Sequence, residues 1–265
     1  MIKKNYISIL ITNYNKEKFI KKNLLSVVNQ NYKNYEIIIY DDSSTDNSTQ
    51  IIKKFKKVKL IKNPVKNNKQ SAPLNQIRGV IEAFKISKGN IICLLDSDDI
   101  FKRNKLKEIL LYFNRNSEKK FVVNLPDTNK KFYIKKINPD TSIWPTIFPT
   151  SCISLRRNFF IKFLKYIKKN NFNNLEIDAR LIIFAYHYCN DLSIIKSKLT
   201  KYKEDLSGIS SKYRKYSLNW WLKRHEAFQY LIFILNKKDK IFKTSFDYYL
   251  TCLLCFLIRI FVNKR

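Results

Sequence analysis

An apolar run that ends abruptly in three carboxylates constrains this chain most. Residues 91–95 read Ile-Ile-Cys-Leu-Leu, which is typical of a buried strand, and Asp96, Asp98 and Asp99 follow directly. Carboxylates crowded at a strand end repel one another and lose hydration, so they are favoured where a divalent cation or a row of hydrogen-bond donors neutralises them. The pattern therefore predicts a site for a metal and a nucleotide at the end of this strand.

The acidic cluster alone does not distinguish such a site from an acidic turn or a helix cap, but its context favours the site. A strand predicted over residues 7–11 ends in Thr-Asn-Tyr-Asn at 12–15, and a second strand over 35–40 ends in Asp-Asp-Ser-Ser at 41–44. Open α/β sheets bind their ligands at the carboxyl ends of their strands. Three strands are therefore expected to carry polar side chains to one edge of a sheet.

Together, the segments SILITNYN at 8–15, DDSSTD at 41–46 and LDSDD at 95–99 resemble the family-2 glycosyltransferases. The likeness covers residues 5–113, and the order and spacing of the segments agree with the family. The resemblance implies an α/β fold of the GT-A type, with a Rossmann-like nucleotide-binding half and a mixed sheet. It also implies transfer of a sugar from a nucleotide diphosphate sugar, with inversion and with Mn²⁺ or Mg²⁺ as cofactor.

The resemblance implies that the nucleotide lies across these strand ends. Thr12 and Tyr14 match residues that line the base pocket, and Asp42 matches the residue that contacts the uracil. Asp96 matches the first acid of the family's motif, which lies near the ribose. Two structural alternatives stay open, because Asp42 could cap the following helix and Tyr14 could be an ordinary core aromatic.

Asp98 and Asp99 are the predicted metal ligands. A divalent cation held there would bridge the phosphates of the donor and stabilise the charge that develops on the leaving diphosphate. Carboxylate oxygens, with few sulfur or imidazole ligands, favour Mg²⁺ or Mn²⁺ over zinc. Arg78 is a candidate for the diphosphate, although the family's Gly-rich segment and Arg-Asn pair are replaced by QSAPLNQIRG at 70–79 and a basic residue on a helix is often simply solvated.

An inverting transfer also needs a base that takes the proton from the acceptor hydroxyl. Residues 175–181, Leu-Glu-Ile-Asp-Ala-Arg-Leu, resemble the acidic helix start that carries this base in the family. Family members have an adjacent Glu-Asp pair, whereas Ile177 separates Glu176 from Asp178. We expect Asp178 to be the base, with Glu176 in reserve. Both acids could instead only stabilise a helix N-terminus.

The periodicity of apolar residues predicts helices near 17–28, 49–56, 74–87, 103–113, 157–169 and 177–189. With 45% hydrophobic and 14% aromatic content, the chain can bury a sizeable core. We expect one GT-A domain over 1–215, with a nucleotide-sugar half at 1–124 and an acceptor half at 125–215, followed by a helical C-terminal extension at 216–265. Acceptor contacts are expected in the irregular segment 125–149, from Phe132, Tyr133 and Trp144, because aromatic faces stack on sugar rings. Simple loop packing is the structural alternative for each of these aromatics.

The charge balance suggests an anionic partner. There are 52 Lys and Arg residues against 21 Asp and Glu residues, a formal net charge of +31, which attracts membranes and nucleic acids alike. An AT-rich coding sequence would produce the same excess of Lys, Asn and Ile without any partner. No zinc-finger spacing, aromatic RNA-binding signature or Arg-rich run is present, so no nucleic-acid partner is expected. The alternative function is a non-catalytic basic protein that tethers nucleic acid or anionic membrane.

The C-terminal extension provides a second hint. Residues 246–262 are strongly apolar, but only 248–258 lack a charge, and about twenty residues are needed to cross a bilayer. An interfacial helix on anionic lipid is one interpretation, and packing on protein or in a dimer is the other. If the helix binds membrane, the acceptor is lipid-linked, as in the synthesis of bacterial surface polysaccharide.

The five cysteines, an odd number with no secretory signal before them, favour a reducing cytosol. We therefore expect a cytoplasmic protein that can associate peripherally with the inner face of the plasma membrane. Cys252 and Cys255 form a CxxC inside an apolar run, and we interpret them as packing residues. A nucleotidyltransferase that makes nucleotide sugars is disfavoured, because the segment at 12–15 lacks the Gly-rich loop of such enzymes.

Overall fold

The computed structural model describes residues 2–63, 71–129, 132–134, 143, 145–168, 171–203 and 212–262. Its strands are β1 (Lys3–Asn13), β2 (Tyr35–Asp41), β3 (Val58–Lys62), β4 (Gly89–Asp96), β5 (Ile100–Phe101), β6 (Phe121–Asp127), β7 (Ile153–Arg156) and β8 (Ser193–Lys201). Within the described residues they form one sheet of eight strands in the order β3-β2-β1-β4-β7-β6-β8-β5. Trp144, one of the aromatics predicted to contact the acceptor, lies outside the described residues.

Helices cover both faces of this sheet. They are α1 (Glu17–Val28), α2 (Ser48–Lys53), α3 (Ala72–Ile86), α4 (Lys105–Arg115), α5 (Arg157–Leu164), α6 (Ile177–Ile183), α7 (Leu218–Asn236) and α8 (Phe246–Val262). The chain continues from α6 into a π-helical segment over Phe184–Cys189. All six predicted helices are present, and the extension is helical as expected.

Two of the predicted helices are too long. The helix predicted over 49–56 ends at Lys53, and the helix predicted over 157–169 ends at Leu164. The second difference has a clear cause, because the backbone carbonyls of Ile167 and Lys168 turn away to accept hydrogen bonds from the buried guanidinium of Arg180. Apolar periodicity along the chain does not reveal such a distant partner.

The first half of the sheet is parallel, and its register aligns the strand ends. β1 pairs in parallel with β2 and β4, and β2 pairs in parallel with β3. Asn13 is level with Asp41, and Thr12 is level with Asp96. β7 then runs antiparallel between β4 and β6, which makes the sheet mixed as predicted. The polar ends of β1, β2 and β4 therefore meet at one edge.

Alternating side chains on these strands fill two cores, one on each face of the sheet. Ile9 and Ile11 pack with α1, α2 and α4, whereas Leu10 packs with α3, α5 and α6. The helix α7 packs in the core that contains Leu10, and its residues Phe228 and Leu231 are fully buried there. The first helix of the predicted extension is therefore an integral part of the core that also contains α3, α5 and α6.

Candidate functional site

The ends of β1 and β2 are joined by a polar network around Asp41. Asn13 donates from Nδ2 to Asp41 Oδ1 at 2.7 Å, and the hydroxyl of Ser44 donates to the same oxygen at 2.6 Å. The Ser44 N–H donates to Asp41 Oδ2 at 3.0 Å. Asp41 is buried and uses both oxygens internally, so it holds the turn that presents Asp42. Sequence reasoning had no signal that separates the two adjacent acids.

Asp42 is half-buried, and its Oδ1 accepts a hydrogen bond from Asn63 Nδ2 at 2.8 Å. The N-cap position of α2 belongs to Asn47, and Asp46 accepts the Ser48 N–H at 2.9 Å. The alternative in which Asp42 caps this helix is therefore wrong. Tyr14 is 46% exposed, so the alternative in which it is a core aromatic is also wrong.

The helix α3 approaches these strand ends closely because it carries a glycine there. A Cβ atom added to Gly79 would lie 2.9 Å from Thr12 Cγ2 and 2.8 Å from Tyr40 Cδ1, so either these side chains or the helix would have to move. Arg78 is hydrogen-bonded to Tyr40, and burial and the negative charge of Asp42 raise the pKa of that tyrosine while Arg78 opposes them. Arg78 therefore lies near Asp42, the residue that is predicted to contact the uracil. Its role toward the diphosphate stays a prediction.

Four side-chain hydrogen bonds fix the acidic turn after β4. Gln76 Nε2 donates to Asp96 Oδ1 at 2.8 Å, and the Asp96 N–H donates to Ser151 Oγ at 2.9 Å. Asn23 Nδ2 donates to the carbonyl oxygens of both Asp96 and Asp99, at 2.9 and 2.7 Å. Sequence reasoning missed Asn23, Gln76 and Ser151, because each comes from a different part of the chain.

Asp98 and Asp99 have different surroundings. Asp98 Oδ2 lies 2.7 Å from Lys16 Nζ, and the two side chains are 14% and 18% exposed. Asp99 is 1% exposed, and its Oδ1 accepts the Lys203 N–H at 2.8 Å. Its Oδ2 is buried and makes no well-formed hydrogen bond with any described residue. The turn thus holds one carboxylate paired with a lysine and one that is incompletely satisfied.

These two carboxylates fit a hard divalent cation. No group of three or more His, Cys, Asp or Glu side chains that could hold a metal occurs among the described residues. Mg²⁺ needs no such cage, since it commonly binds one or two carboxylates together with the phosphates of its substrate. The buried, incompletely satisfied oxygen of Asp99 and the all-oxygen donor set agree with that mode of binding.

Crowding also perturbs the titration of the acidic turn. Burial, with added repulsion from Asp99 and Asp98, raises the pKa of Asp96 to about 7. Burial and the charge of Asp98 raise the pKa of Asp99 to about 7 as well. Above this pH, the negative charges repel one another in a poorly hydrated place, and a bound divalent cation would offset that cost.

A fully buried lysine lies beneath the turn and was missed by sequence reasoning. Lys105 Nζ donates to Asn124 Oδ1 at 2.9 Å, to the Ser151 carbonyl at 2.5 Å and to Thr200 Oγ1 at 2.8 Å. Burial lowers its pKa to about 8. Its position four residues before the buried Ile109, on the apolar face of α4, was the available signal.

The two candidate bases lie at the start of α6 and differ in their partners. Glu176 is 7% exposed, and its Oε2 lies 2.5 Å from Lys223 Nζ of α7. Asp178 Oδ1 accepts the N–H of Ala179 at 2.7 Å, and no ion pair of this carboxylate is present in the described part of the chain. Glu176 is therefore held by a lysine, whereas Asp178 is not.

The environment of Asp178 connects it to the acidic turn. Burial and the negative charge of Glu176 raise the pKa of Asp178 to about 7, with a further contribution from Asp96, while Lys223 opposes them. Asp178 and Asp96 are therefore within electrostatic range although they are far apart in sequence. The predicted proton acceptor therefore interacts electrostatically with the residue that is predicted to lie near the ribose.

Arg180 shapes the loop before these acids and was also missed as a functional residue. It is fully buried, and its guanidinium donates to backbone carbonyls rather than to a carboxylate. The acceptors are the carbonyl oxygens of Ile167, Lys168, Asn171, Phe172 and Leu175. These hydrogen bonds fix the backbone of residues that precede Glu176 and Asp178 in the chain.

The predicted acceptor aromatics divide into two classes. Phe132 packs against the buried Phe148, with ring centroids 5.1 Å apart, so it fills the core as its structural alternative predicted. Tyr133 is 69% exposed and remains available for stacking. Of Phe132 and Tyr133, only Tyr133 is therefore still predicted to contact the acceptor.

Comparison with known proteins identifies the architecture. TarS of Staphylococcus aureus in complex with UDP-GlcNAc superposes with a TM-score of 0.62 at 18% identity, covering 85% of this chain and 66% of that one. A mannosyltransferase of Pyrobaculum calidifontis, PcManGT in complex with GDP-Man and Mn²⁺, gives a TM-score of 0.59 at 13% identity, covering 90% and 65%. These likenesses confirm the predicted GT-A fold.

Sequence relatives point to the same group. The chain is 39% identical over 129 residues to the Escherichia coli UDP-Glc:alpha-D-GlcNAc-diphosphoundecaprenol beta-1,3-glucosyltransferase WfaP, covering 44% of this chain and 49% of WfaP. It is 35% identical over 150 residues to a Bacillus spizizenii poly(ribitol-phosphate) beta-glucosyltransferase, covering 52% and 22%. The chain thus matches half or less of the length of these relatives. The sequence model of glycosyl transferase family 2 matches residues 8–176, which is more than half of the chain, and the protein therefore belongs to that family.

Proposed function

We propose that this protein is a metal-dependent, inverting glycosyltransferase that moves a sugar from a UDP-sugar to a lipid-linked or polymeric glycan in surface-polysaccharide synthesis. The observation that carries the proposal is the register of β1, β2 and β4, which brings Asp42, Asp96 and the acidic turn to one edge of the sheet. The electrostatic interaction of Asp178 with Asp96 supports placing the proton acceptor near the same edge. The names of WfaP and TarS, one a UDP-Glc enzyme with a diphosphoundecaprenol acceptor and the other solved with UDP-GlcNAc, support this choice.

The nucleotide is bound by the ends of β1 and β2. Asp42 presents a carboxylate that accepts a hydrogen bond from the N3–H of a uracil, and Asp41 keeps its turn rigid. The exposed ring of Tyr14 offers a face for the base. Asp96, held through Oδ1 by Gln76, faces the ribose. Each of these groups is positioned before the donor arrives, which lowers the entropic cost of binding.

Asp98 and Asp99 would hold Mn²⁺ or Mg²⁺ on the diphosphate side. When bound, such an ion supplies positive charge that stabilises the leaving diphosphate. Lys16, which lies 2.7 Å from Asp98, adds positive charge at the same place. Gln76, Asn23 and Ser151 keep the turn from moving when its net charge changes.

Asp178 accepts the proton of the acceptor hydroxyl. A carboxylate with a pKa of about 7 is largely deprotonated at slightly alkaline pH and is a stronger base than an exposed aspartate. The acceptor oxygen then attacks the anomeric carbon from the side opposite the diphosphate, so the configuration inverts. Glu176 is held by Lys223 and shapes the field around Asp178.

We also propose that α8 lies on an anionic membrane. Phe246, Tyr249, Leu253, Phe256 and Ile260, called the outer stripe below, are spaced by three or four residues and are 37% to 82% exposed. No helix among the described residues is long and apolar enough to cross a membrane. The opposite face of α8 packs on α7, where Thr251 and Cys255 are buried. An apolar face of this size on one helix is typical of interfacial binding.

Charge complementarity favours lipid over a second copy of the chain as the occupant. Lys237, Lys240 and Lys243 are exposed just before α8, and Arg259 is exposed within it. A second copy carrying the same net charge of +31 would be repelled, whereas anionic lipid headgroups would be attracted.

Replacing both Leu253 and Phe256 with Asp should weaken binding to phosphatidylglycerol-containing vesicles at least about tenfold, because two apolar side chains that would enter the membrane are lost. Vesicle co-sedimentation measures the effect, and raised salt should weaken wild-type binding. Leu25→Asp, at an exposed position on α1, is the matched control and should bind normally. If the outer-stripe variant instead dissociates a dimer in sedimentation velocity and binds vesicles as before, the membrane assignment is wrong.

The donor assignment is tested by thermal shift and calorimetry with UDP, GDP, CDP and TDP, each with and without Mn²⁺. UDP with Mn²⁺ should raise the Tm by several degrees, because a ligand stabilises only the state that binds it. A response to another nucleotide, and not to UDP, would mean that the donor sugar is carried by that nucleotide. No response to any nucleotide, together with steeply salt-dependent binding of nucleic acid, would favour a non-catalytic basic tether instead.

A further inference from the structure

The helix α7 reaches the acidic start of α6 through two neighbouring side chains. Glu226 accepts both the backbone N–H and the side-chain Nδ2 of Asn174, at 2.7 and 2.8 Å. Lys223, three residues earlier on the same face of α7, lies 2.5 Å from Glu176 Oε2. The loop before Asp178 is thus attached to α7 at two points.

The ion pair between Lys223 and Glu176 is largely shielded from water. The two side chains are 19% and 9% exposed. Lys223 Nζ also lies 4.7 Å from the ring centroid of Tyr213, whose hydroxyl donates to Asn174 Oδ1 at 3.4 Å. A shielded pair is screened weakly, so its charges act strongly on groups beside it.

Asp178 is the group beside this pair. The charged groups that act on it are Glu176 from the start of its own helix, Lys223 from α7 and Asp96 from β4. Glu226 and Tyr213, which also line this corner, interact with Glu176. Asp178 therefore lies in the electrostatic field of one cation, Lys223, and of two other carboxyl groups, Glu176 and Asp96.

We propose that Lys223 is a positioning residue of the acceptor half: its ion pair holds Glu176 as a fixed, charged neighbour and leaves Asp178 as the carboxylate that accepts the proton. This inference rests on the proposed function, because it assigns roles within the same site. It makes α7 a working part of the acceptor half rather than an appendage. It also decides between the two acids at the start of α6.

The test is a carboxyl titration followed by NMR on protein labelled with ¹³C at the aspartate carboxyl carbons, with the Asp178 resonance identified by its loss in Asp178→Asn. Lys223→Met should raise the titration midpoint of Asp178, and Glu176→Gln should lower it, each by about one pH unit. Lys223→Arg keeps the charge and should keep the midpoint. Lys56→Met removes an exposed lysine after α2 and should leave the midpoint unchanged.

Opposite shifts are the signature, since a general loss of structure would move both variants in one direction. An unchanged or lowered midpoint in Lys223→Met would overturn the proposal. Should that variant fail to fold because Glu176 is left unpaired, Glu176→Gln is compared with the double variant, in which loss of Lys223 must still raise the midpoint.

Calorimetry with UDP and Mn²⁺ on the same preparations separates this inference from the function on which it rests. Opposite midpoint shifts without nucleotide binding would reject the proposed function while the arrangement of charges stands. Nucleotide binding without the shifts would reject the role of Lys223 alone.

Discussion

Asp98→Asn is expected to lose metal-dependent nucleotide binding and to lower kcat/KM for sugar transfer at least about a hundredfold. The substitution removes a charged ligand from a turn in which the second carboxylate, Asp99, already accepts the Lys203 N–H. The remaining oxygen of Asp99 is a poor substitute for two carboxylates around a divalent ion. Activity is measured as UDP release from the donor that the thermal-shift experiment identifies.

Asp239→Asn is the matched control for Asp98→Asn. Asp239 is exposed in the turn after α7 and has a positive φ of 54°, a conformation that Asn adopts readily. The control should bind UDP and Mn²⁺ like wild type. Calorimetric titration of Mn²⁺ in the presence of UDP gives a readout that does not depend on the acceptor. Unchanged metal affinity in Asp98→Asn would remove Asp98 from the metal site.

Asp178→Asn is expected to lower kcat about 10²- to 10⁴-fold while UDP binding persists, because only the proton acceptor is lost. Wild-type kcat should fall as the pH drops through about 7, where Asp178 becomes protonated. Glu176→Gln should lose far less activity. A larger loss in Glu176→Gln than in Asp178→Asn would exchange the roles of the two acids.

Asp178→Asn should also make the protein more stable at high pH. The pKa of Asp178 rises from 3.8 to about 7 on folding, so the folded state binds its proton more tightly than the unfolded state does. Ionisation therefore costs stability as the pH rises from about 4 to about 7, and Asn avoids that cost. The Tm of Asp178→Asn should exceed that of wild type at pH 8, and the difference should disappear near pH 4. Unfolding curves at the two pH values check this result.

The donor half could be predicted from the sequence because its signals are local. The apolar strands and the polar residues that follow them are adjacent in the chain, and the family resemblance of three such segments assigned Thr12, Asp42 and Asp96 to the proposed site. Parallel pairing then aligns their ends, since it sets Thr12 level with Asp96. The stripe of apolar residues in α1 was equally readable, because helical periodicity repeats within a few residues.

Contacts between distant segments could not be predicted in the same way. Lys16 pairs with Asp98, Asn23 holds the turn at Asp99, and Lys223 pairs with Glu176. Lys16 directly precedes α1, and Asn23 and Lys223 lie on helices. For such common polar residues the default expectation is a solvated side chain. In the folded chain, Lys16, Asn23 and Lys223 are largely shielded from water, so each binds an acidic residue through its side chain or its backbone.

The sequence by itself determined the apolar strands and their polar ends, because these depend on periodicity and on neighbours along the chain. The family resemblance added the GT-A fold, the proposed donor site at the strand ends and the two acids that are candidates for the base. Only the tertiary structure decided how those two acids differ. Packing of α7 against α6 places a lysine 2.5 Å from Glu176, and approach to β4 brings Asp178 within the field of Asp96. Charge and burial act through space, so the partner of a carboxylate depends on which helix packs against it.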